Sequence, residues 1–431
     1  MATPMAFLYK KQLMQGILLM CFLSIQTTIY ANRIFVPMDE TQKNHLKAYG
    51  VAYWVLSQGF EIEWLLNYKG GSFVLPAATA IENRLLSRNV SYRVISEAEY
   101  NEIVAFISRP DVNMDVMKLE KAPKIAVYSP KSKQPWDDAV TLALTYAEIS
   151  YDVIFDDEVL QGKLIEYDWL HLHHEDFTGQ YGKFYAAYRN QPWYIQQQNE
   201  FEATARRYGF KKVSQLKLAV VKRIREYVAG GGFLFAMCSA TDTYDIALAA
   251  DGVDICESMY DGDPADPNAQ SKLNFSNCFA FQNFTLVMNP YQYEYSNIDN
   301  QSYERGVTEE NDYFTLFQFS AKWDPIPTML TQNHVHVIKG FMGQTTAYKK
   351  QLIKPDVVIM GENKAIGEAR YIHGVHGKGF WTFYGGHDPE DYQHFVYEEP
   401  TDLSLYPNSP GYRLILNNVL FPAAKKKKKK T

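Results

Sequence analysis

The chain has 431 residues, 46% hydrophobic and 21% charged, a balance that describes a globular protein and excludes a disordered one. Its net charge is −6 even with the lysine run Lys425 to Lys430, so no nucleic-acid partner is expected. Aromatic residues make up 15%, enough to line a carbohydrate or peptide groove as well as to fill a core.

Lys10 and Lys11 precede an apolar run over 13–25, and small or polar residues lead to Ala31. That is the layout of a secretory signal peptide over 1–31. It predicts an exported protein, periplasmic or extracellular, with no stable membrane insertion once the signal is removed. Cys21 lies in this segment and leaves Cys238, Cys256 and Cys278, an odd set in which at least one thiol is unpaired within the chain. Residues 32–120 read as a small α/β unit, with helices over 45–57, 77–87 and 97–107 and strands over 61–68 and 91–95. The polar stretch 111–123 reads as an irregular join.

From residue 124 the pattern changes to βα alternation, which predicts a mainly parallel sheet covered on both faces over 121–424. Strands are expected over 124–128, 151–155, 164–172 and 233–237, and helices over 137–149 and 213–228. A polar, aromatic insertion occupies 177–210. The run Asp261 to Pro267 (DGDPADP) lacks the glycine-centred spacing of a calcium loop and reads as a turn. Residues 326–343 read as a strand with His334 and His336 on one face. Strands over 356–360 and 379–384, a closing helix over 412–419 and the lysine-rich tail 425–431 complete the chain.

Ligands bind beyond the carboxyl ends of strands in such sheets. Three polar clusters fall at those ends: His171, His173, His174, Glu175 and Asp176; then Cys238; then His387, Asp388 and Glu390. Cys238 follows the apolar run Phe233 to Met237 and precedes a helix start, the layout of a nucleophile elbow. A helix N-terminus favours thiolate, and a thiol nucleophile needs a base whose tautomer a carboxylate fixes. Cys238, His387 and either Asp388 or Glu390 are therefore the expected catalytic set. Ser239 offers a backbone oxyanion donor, and His173, His174, Glu175 and Asp176 are expected on the substrate side.

The βα run from 124, the Ala236-Met-Cys-Ser-Ala240 bend and the late Gly385-Gly-His-Asp-Pro-Glu390 segment resemble the class I glutamine amidotransferase-like superfamily. That family carries a Gly-x-Cys-x-Gly elbow and a later His-Pro-Glu. Here both glycines are alanine, and Asp388 stands between histidine and proline. The ThuA-like and intracellular-protease-like branches accept such changes. The segments NHLKAYG and GGHDPEDY also resemble exported bacterial proteins filed as asparagine synthetase B. Neither an N-terminal-cysteine glutaminase nor an SGGxDS nucleotide site is present. The resemblance implies a three-layer, flavodoxin-like α/β/α domain with Cys238 as nucleophile, His387 as base and Glu390 or Asp388 as acid. It also implies hydrolysis of an amide or related acyl bond in a small-molecule, peptide or glycan substrate, without a cofactor.

Two other classes are compatible with the residues. The histidine cluster, joined by His387 or by His373 and His376, has the donor types of a catalytic zinc site. Alternatively, the aromatic insertion Tyr181 to Tyr194 could stack on sugars or peptides in a non-catalytic binding protein.

Overall fold

The computed structural model describes residues 32–130, 138–300, 305–393 and 395–425. The expected signal segment and all but the first residue of the tail lie outside the described residues.

The N-terminal unit is built on five antiparallel strands: β1 (Arg33–Val36), β2 (Ile62–Leu66), β3 (Ser72–Pro76), β4 (Arg93–Ile95) and β5 (Asp115–Leu119), in the order β4-β1-β3-β2-β5. β5 falls within the stretch expected to be irregular. Only Met117 and Leu119 of its five residues are buried, too short an alternation to stand out in sequence. Helix His45–Ser57 starts at Asn44, whose side chain accepts from the Lys47 backbone N–H at 2.9 Å. It packs against helices Ala139–Ala147 and Pro410–Leu420, so both its sheet-facing and helix-facing sides are apolar. Gly50 permits that approach, because a Cβ there would lie 1.8 Å from the Ala147 carbonyl oxygen. Arg413, fully buried on helix Pro410–Leu420, ties the junction by donating to Met38 O at 2.8 Å and Tyr49 Oη at 3.2 Å.

The second sheet contains β6 (Ile125–Tyr128), β7 (Asp152–Ile154), β8 (Trp169–Leu172), β9 (Phe233–Met237), β10 (Tyr313–Leu316), β11 (Val337–Lys339), β12 (Tyr348–Lys349), β13 (Val358–Asn363), β14 (Glu368–His376) and β15 (Gly379–Tyr384). Their order is β11-β10-β13-β14-β15-β9-β8-β6-β7, with β12 pairing β14 off that path. β7, β6, β8, β9 and β15 run parallel, and the remaining pairings are antiparallel. The protein is thus a mixed α/β structure with a partly parallel sheet. The antiparallel half follows from connection length, since β13, β14 and β15 are joined by turns too short for a crossover.

Two segments differ from the sequence expectation. Residues 164–172 hold a 3-10 turn, Lys163–Glu166, before the four-residue β8. Residues 326–343 begin as helix Pro325–Leu330, with prolines in its first turn, and only 337–339 are strand. His334 therefore lies before the strand and stacks on His45 at 4.2 Å between ring centroids. Among the described residues no helix is long and apolar enough to cross a membrane.

The stacked pair is acid-sensitive. Burial, then Arg413, hold His45 down at about 4, and burial, His45 and Arg413 hold His334 at about 3. Both pKa values lie below the unfolded value of about 6.5, so unfolding takes up protons as pH falls and stability is lost from there downward. Glu175 and Asp299, raised to about 7, act in the opposite direction. The pair is isolated by comparing urea unfolding of wild type and His334→Phe at pH 7 and pH 5. Wild type should lose up to about 2 kcal/mol more than the variant over this interval. Equal losses would show that the pair does not titrate this way.

Candidate functional site

Strand β9 is an apolar run, buried at every position but the first, as expected of a strand covered on both faces. At its end Cys238 adopts φ +49°, a left-handed conformation that costs a non-glycine residue about 1–3 kcal/mol. The chain then turns directly into helix Ala240–Ala249. The bend is pinned from both neighbouring strands. The Cys238 N–H donates to Gly386 O at 3.1 Å, beyond β15, and the Ala240 N–H donates to His173 O at 3.0 Å, beyond β8. Thr241 Oγ1 also donates to the Cys238 carbonyl at 2.7 Å.

The thiol lies in a nest of backbone donors. Gln344 N–H reaches Sγ at 3.3 Å, and the Ser239 and Thr345 N–H groups also act on it. Burial outweighs these donors and pushes the thiol up to about 11. This corrects the expectation of a thiolate favoured by the helix N-terminus: with Cys238 only 1% exposed, desolvation of the anion dominates.

His387 meets a histidine at its inner nitrogen. His173 Nε2 and His387 Nδ1 are 3.0 Å apart, and His173 Nδ1 lies 3.3 Å from His171 Nε2 and 3.5 Å from Asp138 Oδ1. Asp138 Oδ2 is 3.1 Å from His171 Nε2, while its Oδ1 accepts from the Val140 and Thr141 N–H groups as the N-cap of helix Ala139–Ala147. Burial alone would raise the Asp138 carboxyl. The two histidines and their hydrogen bonds instead hold it well below the usual carboxylate range. His171 is held down by burial, with Asp138 opposing.

The Phe235 carbonyl oxygen, 3.2 Å from His171 Nδ1, can only accept, which places the proton of a neutral His171 on Nδ1 and leaves its Nε2 a lone pair. With His173 Nδ1–H donating to that lone pair, His173 Nε2 accepts from His387 Nδ1–H, and His387 Nε2 is then the basic nitrogen.

Asp388 and Glu390, the acids expected with His387, each make a hydrogen bond of their own. Asp388 Oδ1 accepts from the Glu390 N–H at 2.9 Å, and the Glu390 carboxyl bonds Ser409. Asp138 reaches His171 at 3.1 Å and His173 at 3.5 Å. Its sequence signal was an acidic residue placed just before an apolar helix, which also marks any ordinary cap. Of the residues expected on the substrate side, His174 lies with its ring centroid 5.3 Å from that of His173 and 5.7 Å from that of His387. Glu175 Oε2 accepts from the His173 N–H at 2.9 Å, and burial raises its carboxyl to about 7. Asp176 shapes the insertion, accepting from Thr178 N–H at 2.6 Å and Gly182 N–H at 3.0 Å. The Ser239 hydroxyl is buried and has no hydrogen-bond partner among the described residues.

Cys238 and His387 line one cavity of about 370 Å³, walled by Phe184, Tyr188, Tyr293 and Phe395. The aromatic insertion thus supplies part of the wall, and Gln344 lines the cavity without any signal in sequence. For a metal, one nitrogen from each of His173, His174 and His387 lies within 4.8 Å of the others, and Asp138, His171 and His173 form a second such group. His373 and His376 do not join them. His373 bonds Trp381 O within the sheet, and His376 pairs with Gly379 at the opposite end of β15 from His387. Asp254, Asp261 and Asp263 gather on Lys212 at 2.5–3.1 Å, which accounts for the acidic run as an ion-paired turn.

No protein-family model and no curated protein matches the chain. Among solved structures, a cytoplasmic protein from Salmonella typhimurium is 11% identical with a TM-score of 0.33, over 70% of this chain and 100% of its own. A second, from Salmonella typhimurium LT2, is 12% identical with a TM-score of 0.34 over the same shares. A GH42 beta-galactosidase is 11% identical with a TM-score of 0.26, over 62% of this chain and 28% of its own. Scores this low carry no argument about fold or activity. The description of both Salmonella proteins as cytoplasmic stands opposite to the export expected from residues 1–31, and that expectation is withdrawn.

The buried thiol sets a measurable profile. Iodoacetamide labelling of Cys238, followed by peptide mass spectrometry to separate it from Cys256 and Cys278, should rise about tenfold per pH unit from pH 7 to 10. A plateau below pH 9 would mean a thiolate already formed in the resting protein.

Proposed function

We propose that this protein hydrolyses an amide or related acyl bond through Cys238. It would do so on a three-layer, flavodoxin-like domain of the class I glutamine amidotransferase-like kind. The order β7-β6-β8-β9-β15 supports the fold reading, because in chain order these strands run 2-1-3-4-5, the flavodoxin order. The functional reading rests on one observation: the chain from Asp138 through His173 to His387 ends at the cavity that Cys238 lines.

The chemistry follows from the tautomers. With the substrate carbonyl in the cavity, His387 Nε2 takes the Cys238 Sγ proton as sulfur attacks the carbonyl carbon. The positive charge formed on His387 is stabilised through His173 by the Asp138 carboxylate, so His173 and Asp138 are positioning residues. Backbone N–H groups of Ser239, Gln344 and Thr345 then face the charge that develops on oxygen. Collapse breaks the C–N bond, and the amine leaves with the proton from His387. Water, deprotonated by His387, cleaves the thioester to give the acid and restore the thiol. Because the resting thiol is protonated, the base is required in every turnover.

A metal-dependent hydrolase is the second reading, favoured by the convergence of His173, His174 and His387 nitrogens within 4.8 Å. The His173–Asp138 approach matches the carboxylate–histidine support common behind metal ligands. An ion held by both His173 Nε2 and His387 Nδ1 would need a lone pair on each, which excludes the hydrogen bond between those two atoms.

Hydrolysis of 4-nitrophenyl acetate separates the two. Cys238→Ala should abolish turnover, and His387→Ala should lower kcat by about 10²–10⁴-fold. Asp138→Asn, which keeps a good N-cap, should lower kcat with little change in KM. Loss of activity with a chelator, together with full activity in Cys238→Ala, would replace the thiol reading with the metal one.

A further inference from the structure

Two of the donors that face the Cys238 sulfur come from a segment without regular secondary structure. Gln344 and Thr345 lie between β11 and β12, and the Gln344 N–H reaches Sγ at 3.3 Å, with the Thr345 N–H acting beside it. Successive backbone N–H groups turned to one atom favour an anion there, provided the chain is held in that shape.

Part of the hold comes from the loop that carries the base. The Gly386 N–H donates to Thr345 O at 2.9 Å, and the His387 N–H donates to Met342 O at 2.8 Å. The two loops pack backbone to backbone: a Cβ on Gly385 would lie 2.3 Å from Thr346 O, and one on Gly343 would lie 2.9 Å from His387 N. Thr346 Oγ1 closes the turn from within, accepting from the Gly343 N–H at 3.1 Å.

The rest of the hold comes from two buried carboxyls that neither the thiol chemistry nor the metal reading uses. Asp242, 1% exposed, sits in the first turn of helix Ala240–Ala249, where a carboxylate ordinarily serves the helix's own N–H groups. Its Oδ1 accepts from Thr345 Oγ1 at 2.9 Å. Asp299, also buried, accepts through one oxygen from the Thr346 N–H at 2.9 Å and the Ala347 N–H at 3.1 Å. A carboxyl oxygen accepts in either protonation state, so these bonds do not depend on charge. The bend that presents the sulfur and the loop that presents its donors are thereby joined, four residues beyond Cys238, by the Asp242–Thr345 bond.

We infer that Asp242 and Asp299 are positioning residues that hold the Gln344 and Thr345 N–H groups on the Cys238 sulfur, Asp242 by tying the donor loop to the elbow. This rests on the Cys238 reading for its effect on hydrolysis but not for its effect on the thiol.

Iodoacetamide labelling of Cys238 at pH 9, in the full chain, reads the donors without turnover. Thr345→Val keeps the shape of the side chain and deletes its hydroxyl. It should label about threefold more slowly than wild type, because the thiolate loses hydrogen bonds. Thr345→Ser should restore the wild-type rate. Asp299→Ala should slow labelling in the same way, whereas Asp299→Asn, which keeps the accepting oxygen, should not. A merely loosened structure acts in the opposite direction, exposing the sulfur and speeding its labelling together with that of the buried Cys256 and Cys278. If Thr345→Val does not fold, Thr345→Ala deletes the same hydroxyl and is read identically. Labelling of the hydroxyl-deleted variant as fast as wild type, or faster, would overturn the inference. With 4-nitrophenyl acetate the same variant should lower kcat about tenfold or more with little change in KM. Unchanged kcat in an enzyme that Cys238→Ala inactivates would also overturn it. Slowed labelling without hydrolysis by wild type would instead remove the hydrolase reading and leave the positioning intact.

Discussion

The 3.0 Å contact between His173 Nε2 and His387 Nδ1 joins the ends of β8 and β15 across the strand between them, β9, which carries Cys238. Sheet order does what sequence order cannot. Residues 214 positions apart meet because β8, β9 and β15 are parallel neighbours whose carboxyl ends open on one side. The elbow is then fastened at both flanks, by Ala240 to the His173 carbonyl and by Cys238 to the Gly386 carbonyl. Moving either flank would move the Cys238 bend. Gly386 itself sits at φ +102° against Phe341, a backbone path that side chains rarely adopt.

Asp138 gives this arrangement its direction. One oxygen satisfies two N–H groups at a helix start and the other faces His171, so the carboxylate is held in place by backbone as well as by histidines. Burying a negative charge is expensive unless it is paired and hydrogen-bonded, and here it is both. The thiol shows the opposite balance. Its backbone donors favour the anion, yet desolvation wins, leaving a neutral thiol.

Part of this was legible from the sequence. The apolar run 233–237, the small residues beside Cys238 and the polar residues after strands 169–172 and 379–384 follow from period, composition and turn chemistry. The partner of His387 was not legible, because Asp388 and Glu390 are near it in the chain whereas His173 and Asp138 are near it only through the sheet. Thiol ionisation was misjudged for a related reason. A helix N-terminus is a local feature, but burial depth is tertiary, and the tertiary effect is larger at Cys238. The antiparallel edge was hidden by strand length, as with β11 and β12, which have three and two residues. Pro325 and Pro327 hid a helix start in a segment whose apolar residues resembled a strand.

The polarity of the histidine chain is the central claim, and nitrogen-15 NMR of the histidine rings at neutral pH reads it directly. The account predicts that His173 and His387 both carry the proton on Nδ1, with His387 Nε2 showing the shift of a lone-pair nitrogen. A proton found on His387 Nε2 with Nδ1 bare would reverse the chain and contradict a base directed at Cys238.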